Sequence, residues 1–415
     1  MNRKRITWTL SVAHALSSTA FLASATITSI VGADLSGRTA WAGVPSAVYL
    51  LGVAAASLVL GYAMDRIGRR RALSAGFALG ACGAALAVWA VMERTFAGFL
   101  GALALMGPAS AAAGLSRFVA AEVHPEDERG RAIATVVVGG TAGTLIWPAL
   151  SVSLGTRLAA SNVSDLVWPF GVSTILLALA SLVVAAFLRP DPGVMALSLA
   201  GHDRDAAGAA AAGRTAPLGE ILRRPGARVA IASMVSGHAI MVMVMVITAL
   251  HMRNHSHGVA AISVTTSLHV LGMFAFSIVS GRLADTVGRA PVIMAGAAIL
   301  AIACGVAPLS PAFVPITVGL FLLGLGWNLC FVGGSSLLAD QLSPGERART
   351  QGFNDLLMGL VAASGSFLSG HVFAAVGYGT MGLVSAIVAI ATFGLALWWH
   401  INGRRQPAAP QFTGA

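Results

Sequence analysis

Twelve separate stretches of the chain are apolar over about 20 residues each, enough to cross a hydrocarbon layer ~30 Å thick. They cover residues 6–33, 42–64, 72–92, 96–121, 132–155 and 167–188, then 228–252, 260–283, 291–308, 312–338, 351–374 and 379–401. In lipid every backbone amide must be satisfied inside its own segment, so each stretch is expected to be a helix. Only 10% of the residues carry a formal charge, against roughly 25% in a soluble domain. The fold class is therefore an all-α polytopic membrane protein with twelve transmembrane helices. The first stretch follows Arg3, Lys4 and Arg5, and Ala23-Ser24-Ala25 mimics a cleavage site. Its apolar run exceeds the ~7–15 residues of a signal core, so it reads as an uncleaved first span.

An even number of spans puts both termini on one side, and the charges choose which. With the termini inside, 21 of the basic residues fall in cytoplasmic loops and four, Arg38, Arg94, Arg157 and Arg253, on the other side. That is a strong positive-inside bias and implies the cytoplasmic (inner) membrane of a bacterium. It also accounts for the net charge of +10 without nucleic acid, since short basic loops beside the cytoplasmic leaflet meet anionic lipid. The three cysteines, Cys82, Cys304 and Cys330, lie in apolar runs with neither disulfide nor metal-ligand spacing. Residues 189–227 hold Pro190, Pro192, an Ala/Gly tract and Arg223-Arg224-Pro225, and read as a flexible cytoplasmic linker. The expected organisation is a six-helix bundle over 1–188, that linker, a second bundle over 228–402 and a disordered tail over 403–415.

The two halves repeat one another. Gly61, Asp65, Gly68 and Arg69 recur as Gly281, Asp285, Gly288 and Arg289, 220 residues later. Glu122, Arg129 and Arg131 recur as Asp340, Arg347 and Arg349 at an offset of 218. Both motifs fall at cytoplasmic helix ends, the pattern of a duplicated six-helix unit.

Gly61-x-x-x-Asp65-Arg66-x-Gly68-Arg69-Arg70 between spans 2 and 3 resembles the signature loop of the major facilitator superfamily. The copy at 281–289 and the Pro-x-x-x-Arg loops after spans 4 and 10 extend that likeness over nearly the whole chain. The resemblance implies two pseudo-symmetric bundles that rock about a central site. It implies that Asp65 meets the positive N-terminal end of span 11, that Arg69 pairs with Glu122, and that Arg289 pairs with Asp340. Arg66, Arg129 and Arg347 belong to the same gating set. Span 5 departs from the drug-exporter pattern: it reads Gly139-Gly140-Thr141-Ala142-Gly143 and then Trp147-Pro148, without an adjacent Gly-Pro.

Candidate substrate or coupling residues are the polar groups inside spans. Arg117 lies about 7 Å within span 4, at 1.5 Å per residue, and a charge at that depth needs a partner or water. Asp355, at similar depth in span 11, has the opposite sign. Three readings stand side by side: an inter-half salt bridge, an anion site at Arg117 with a proton on Asp355, or an arginine that reaches the surface. Four histidines, His14, His238, His269 and His371, fall within spans. His238 and His269 sit near the middle and suit proton transfer, because imidazole titrates near neutral pH. Asn328 beside Trp327 is expected to line the cavity. His251, His255 and His257 cluster in an outer loop, with spacing too loose to assign a metal.

No nucleotide-binding loop and no nucleophile–base pair stands out, so the expectation is not an enzyme and includes no cofactor. The expected function is alternating-access secondary transport of a small molecule by a monomer, coupled to protons. A transporter-like sensor or scaffold that binds without turnover is the alternative.

Overall fold

The computed structural model describes residues 2–124, 126–159, 164–193, 195, 216–342 and 344–402. The expected linker (194 and 196–215) and tail (403–415) therefore lie largely outside the described residues, as do the side chains of Asp65, Arg129 and Arg347.

Ten long helices precede the final run: α1 (Asn2–Ser36), α2 (Val44–Ile67), α3 (Arg69–Met92), α4 (Phe96–Glu122), α5 (Glu126–Ala159), α6 (Trp168–Phe187), α7 (Pro225–Asn254), α8 (Val259–Thr286), α9 (Arg289–Val306) and α10 (Phe313–Asp340). The run Pro344–Asn402 is 59 residues long, or roughly 90 Å at 1.5 Å per residue. That is far more than one crossing needs. Gly377, at φ 74°, breaks it, giving α11 (344–376) and α12 (378–402). This makes twelve crossing helices among the described residues, with no strand.

Prolines inside the helices, Pro108 in α4 and Pro148 in α5, survive because neighbouring helices supply the lost packing and hydrogen bonding. Beside Pro148, the fully buried Trp147 donates its indole N–H to Thr26 Oγ1 on α1 at 3.2 Å. In each half the helices pack mainly on one another: α1 on α4, α5 and α6, and α10 on α7, α8 and α9. Between the halves, α2 meets α11 and α5 meets α8, while α1 lies against α7 and α8. A shift of six helices turns the first of these pairs into the second. The duplication seen in sequence thus appears as a pseudo-two-fold relation between bundles.

The bundles meet at the face away from the termini. There Ser366 Oγ donates to the Gly43 carbonyl at 3.0 Å, and Arg253 on α7 lies 3.9 Å from Asp165, before α6. A Cβ built on Gly43 would sit 1.8 Å from the Ser366 carbonyl oxygen, so only glycine permits that approach. Toward the terminus-bearing face the bundles part. A Cβ on Gly61, Gly281, Gly352 or Gly359 would meet nothing within 4 Å, and Arg117 and Asp355 are exposed.

Candidate substrate cavity

A cavity of about 320 Å³ lies between the two halves. That is near the lower end of the range for small-molecule sites. Its walls come from α1, α2, α4 and α5 on one side and from α7, α8 and α11 on the other. None of the lining residues is Asp, Glu, Lys or Arg.

Aromatic pairs flank it from both halves. Phe21 stacks on Tyr49 at 5.7 Å between ring centroids, and the Tyr49 hydroxyl is hydrogen-bonded to Ser110. Opposite, Phe274 packs edge-on against Trp327 at 6.0 Å, and Trp327 stacks on Phe331 at 5.0 Å. Met106, Met241, Met245 and Met273 fill the remaining wall with unbranched, adaptable side chains.

His238 and His269 are the two histidines in this wall. The Trp327 indole N–H donates to His238 Nδ1 at 3.0 Å. His269 is fully buried, and its Nδ1 lies 2.8 Å from the Leu320 carbonyl on α10. A carbonyl can only accept, so His269 carries its proton on Nδ1. Gly324 fixes the distance between these helices, because a Cβ there would lie 2.2 Å from the His269 carbonyl oxygen.

The other expected residues are elsewhere. Asn328 was expected to line the cavity and does not. Its Oδ1 accepts from Ser280 Oγ at 2.6 Å, and its Nδ2 donates to the Met273 carbonyl and to Ser277 Oγ at 2.6 and 2.9 Å. These bonds gather both sides of the break in α8 at Ala275 and Phe276 and use up the amide. Arg117 and Asp355 form no ion pair with each other. Arg117 lies over the Phe118 ring at 4.8 Å, and Asp355 accepts from Gln351 at 2.9 Å. Both are exposed. His14 packs against Gly140, and His371 is exposed with Nδ1 on the Phe367 carbonyl.

Of the outer histidines, His251 and His255 lie with their ring centroids 4.5 Å apart, and His255 Nδ1 donates to the His251 carbonyl at 2.9 Å. His251 stacks on Tyr378 at 4.2 Å, while His257 Nε2 donates to the Pro311 carbonyl at 2.8 Å. Among the described residues no group of three metal-capable side chains forms.

The repeated loops build one arrangement twice. Arg69 Nε donates to Glu122 at 3.1 Å while Nη1 donates to the Met64 carbonyl at 3.0 Å. Arg289 Nε donates to Asp340 at 3.1 Å while Nη1 donates to the Ala284 carbonyl at 2.5 Å and to Asp285 at 2.7 Å. Each arginine thus caps the C-terminal carbonyls of the preceding helix, where a cation also meets the negative end of the helix dipole. Arg66 turns outward onto the Tyr62 ring, 4.3 Å from its centroid.

Sequence reasoning missed Asp191. Its carboxylate accepts from the backbone N–H of Arg69 and Arg70 at 3.3 and 3.0 Å, which caps α3. Gly68 makes room for it: at φ 88°, a Cβ there would lie 2.7 Å from Asp191 Oδ2. The two positions are more than 120 residues apart, so no local motif could have announced the contact.

Comparison with known proteins settles the family. The sequence profile of the Major Facilitator Superfamily matches residues 8–255 and again 229–415. The chain belongs to the Major Facilitator Superfamily. Among its superfamily relatives, the uncharacterized MFS-type transporter YdeG of Bacillus subtilis is 29% identical over 95% of this chain and 92% of its own. The riboflavin transporter RfnT of Brucella anthropi is 30% identical over 94% of each. Solved transporter structures share the fold. The nucleoside transporter NupG superposes with a TM-score of 0.71 at 17% identity, over 95% of this chain and 99% of that one. A D-xylose-proton symporter does so with 0.68 at 17%, over 94% and 97%. The chain is thus a multi-pass membrane transporter by family.

Proposed function

We propose that this transporter carries a small neutral solute across a bacterial inner membrane by alternating access, driven by a proton gradient. The observation that carries this reading is the uncharged cavity between two pseudo-symmetric bundles, pinched at one face and parting toward the other. Rocking the bundles would open the pinched face and close the other. The arginine-rich, terminus-bearing face would be cytoplasmic, by the positive-inside bias.

The arginine–carboxylate clusters at Arg69 and Arg289 would keep each bundle rigid while Asp65 engages and releases α11. With no carboxylate in the wall, His238 or His269 would carry the coupling proton. A single chain encloses the site, so a monomer suffices. The similarity to RfnT puts flavins first among solutes to try.

The test is uptake of radiolabelled riboflavin by vesicles containing the purified protein, with an imposed proton gradient. Accumulation that a protonophore abolishes is expected. Binding to the protein without uptake under any gradient would instead favour a ligand sensor or scaffold.

A further inference from the structure

We infer that His238 and His269, in their neutral forms, read the solute as a donor–acceptor pair, so that the site selects a neutral, planar molecule bearing both an N–H or O–H and a carbonyl. This rests on the transport reading only for the cavity's being the substrate site.

The tautomers follow from the internal bonds. Trp327 donates to His238 Nδ1, so neutral His238 holds its proton on Nε2, which has no other partner and offers a donor. His269 gives its Nδ1 proton to Leu320, which leaves Nε2 a bare acceptor. That Nε2 is buried and unpartnered, and an unmet polar atom in an apolar wall is costly. Met273, one turn along the same face of α8, also lines the cavity, and its flexible side chain can yield to a ligand. His238 on α7 and His269 on α8 both line the one cavity, so a solute that reaches both Nε2 atoms would be met by one N–H and one lone pair.

The rest of the wall sets the body of the solute. Aromatic faces on both sides, Phe21 with Tyr49 and Phe274 with Trp327, suit a flat ring system. The absence of any charged lining residue rejects ions, since an uncompensated charge in such a wall is strongly disfavoured. An imide or lactam on a fused ring satisfies all three demands.

Asparagine substitution separates the reading from folding. His269→Asn keeps an N–H donor toward Leu320 and loses the Nε2 acceptor. His238→Asn keeps an acceptor for Trp327 and loses the Nε2 donor. The probes are riboflavin, its N3-methyl derivative, riboflavin 5′-phosphate, uridine and uridine monophosphate, with binding followed by the melting temperature of the whole purified chain.

The neutral members are expected to stabilise wild type and the phosphorylated members not to do so. N3-methylation and His269→Asn should each weaken riboflavin about tenfold, and together little more than either alone. His238→Asn should weaken both flavins about tenfold. The inference is overturned if no neutral probe binds, if the phosphates bind as well, or if both Asn variants bind like wild type. Vesicles that take up riboflavin equally with either variant overturn the histidine assignment and leave transport standing. Binding that follows the expected pattern without any uptake sinks transport instead.

Discussion

Gly43→Ala should push the transporter out of the conformation described here. The added Cβ would lie 1.8 Å from the Ser366 carbonyl oxygen and 2.6 Å from Ser369 Oγ, where real Cβ contacts stay above 3.0 Å. The first of these is backbone, so no rotamer change relieves it. The first turn of α2 and the middle of α11 must part by something on the order of 1 Å. Overpacking of this kind costs about 1–3 kcal/mol, and the Ser366–Gly43 hydrogen bond is lost with it. If the penalty falls only on the state pinched at this face, the population ratio shifts by about 5–150-fold toward the state open there. The readout is modification of Ser366→Cys by a membrane-impermeant maleimide, in a Cys82→Ser background because Cys304 and Cys330 are buried. Ser366 is fully buried, so slow labelling is expected with Gly43 and labelling at least fivefold faster with Gly43→Ala. Equal rates in two folded proteins would refute the closure assigned to α2 and α11.

Other perturbations separate local effects. Gly68→Ala combines an unfavourable φ with a collision against Asp191, whereas Gly288→Ala, at φ 107°, meets only Pro291 Cδ at 3.6 Å; both should lower the melting temperature, Gly68→Ala more, with ~1–2 kcal/mol from backbone strain alone. Arg224→Gln removes the bonds of 3.0 and 3.1 Å that Arg224 makes to Glu346, whose side chain is 4% exposed and which keeps the Ala216 N–H at 3.1 Å, and should cost less than the ~3–5 kcal/mol of a buried charge left with no partner. Arg253→Gln removes a 3.9 Å pair exposed by 39% and 46%, and should change thermal stability by less than about 1 kcal/mol. Arg117→Ala should leave riboflavin affinity within about twofold of wild type in the binding assay, because the cavity wall does not include it.

The sequence was most informative where physics acts locally. Spanning length, the positive-inside bias and the paired Gly-Arg loops each follow from the chain within a few tens of residues. They led to twelve helices and two halves, while the resemblance to the superfamily implied the pairs Arg69–Glu122 and Arg289–Asp340 that lie together in the structure. The interior polar groups were harder to place. Depth within a span does not reveal which way a side chain faces, so three readings of Arg117 and Asp355 stood open in sequence, and the structure shows both exposed and unpaired with each other. Asn328 looked like a cavity group although the break in α8 consumes its amide. His238 and His269 were singled out by position and chemistry, but their tautomers depend on Trp327 and Leu320 across helix contacts that no periodicity encodes. The Gly43–Ser366 approach spans 323 residues and has no signature in sequence at all.

Ala25 on α1 lines the cavity, and a cysteine placed there in the Cys82→Ser protein reports on the site from either face. Sealed vesicles of known orientation, treated with an impermeant thiol reagent outside or inside, give the decisive measurement. Reaction from each face in turn, with the balance moved by Gly43→Ala and suppressed by riboflavin, is the expected result. Reaction from one face alone under every condition would contradict alternating access through this cavity.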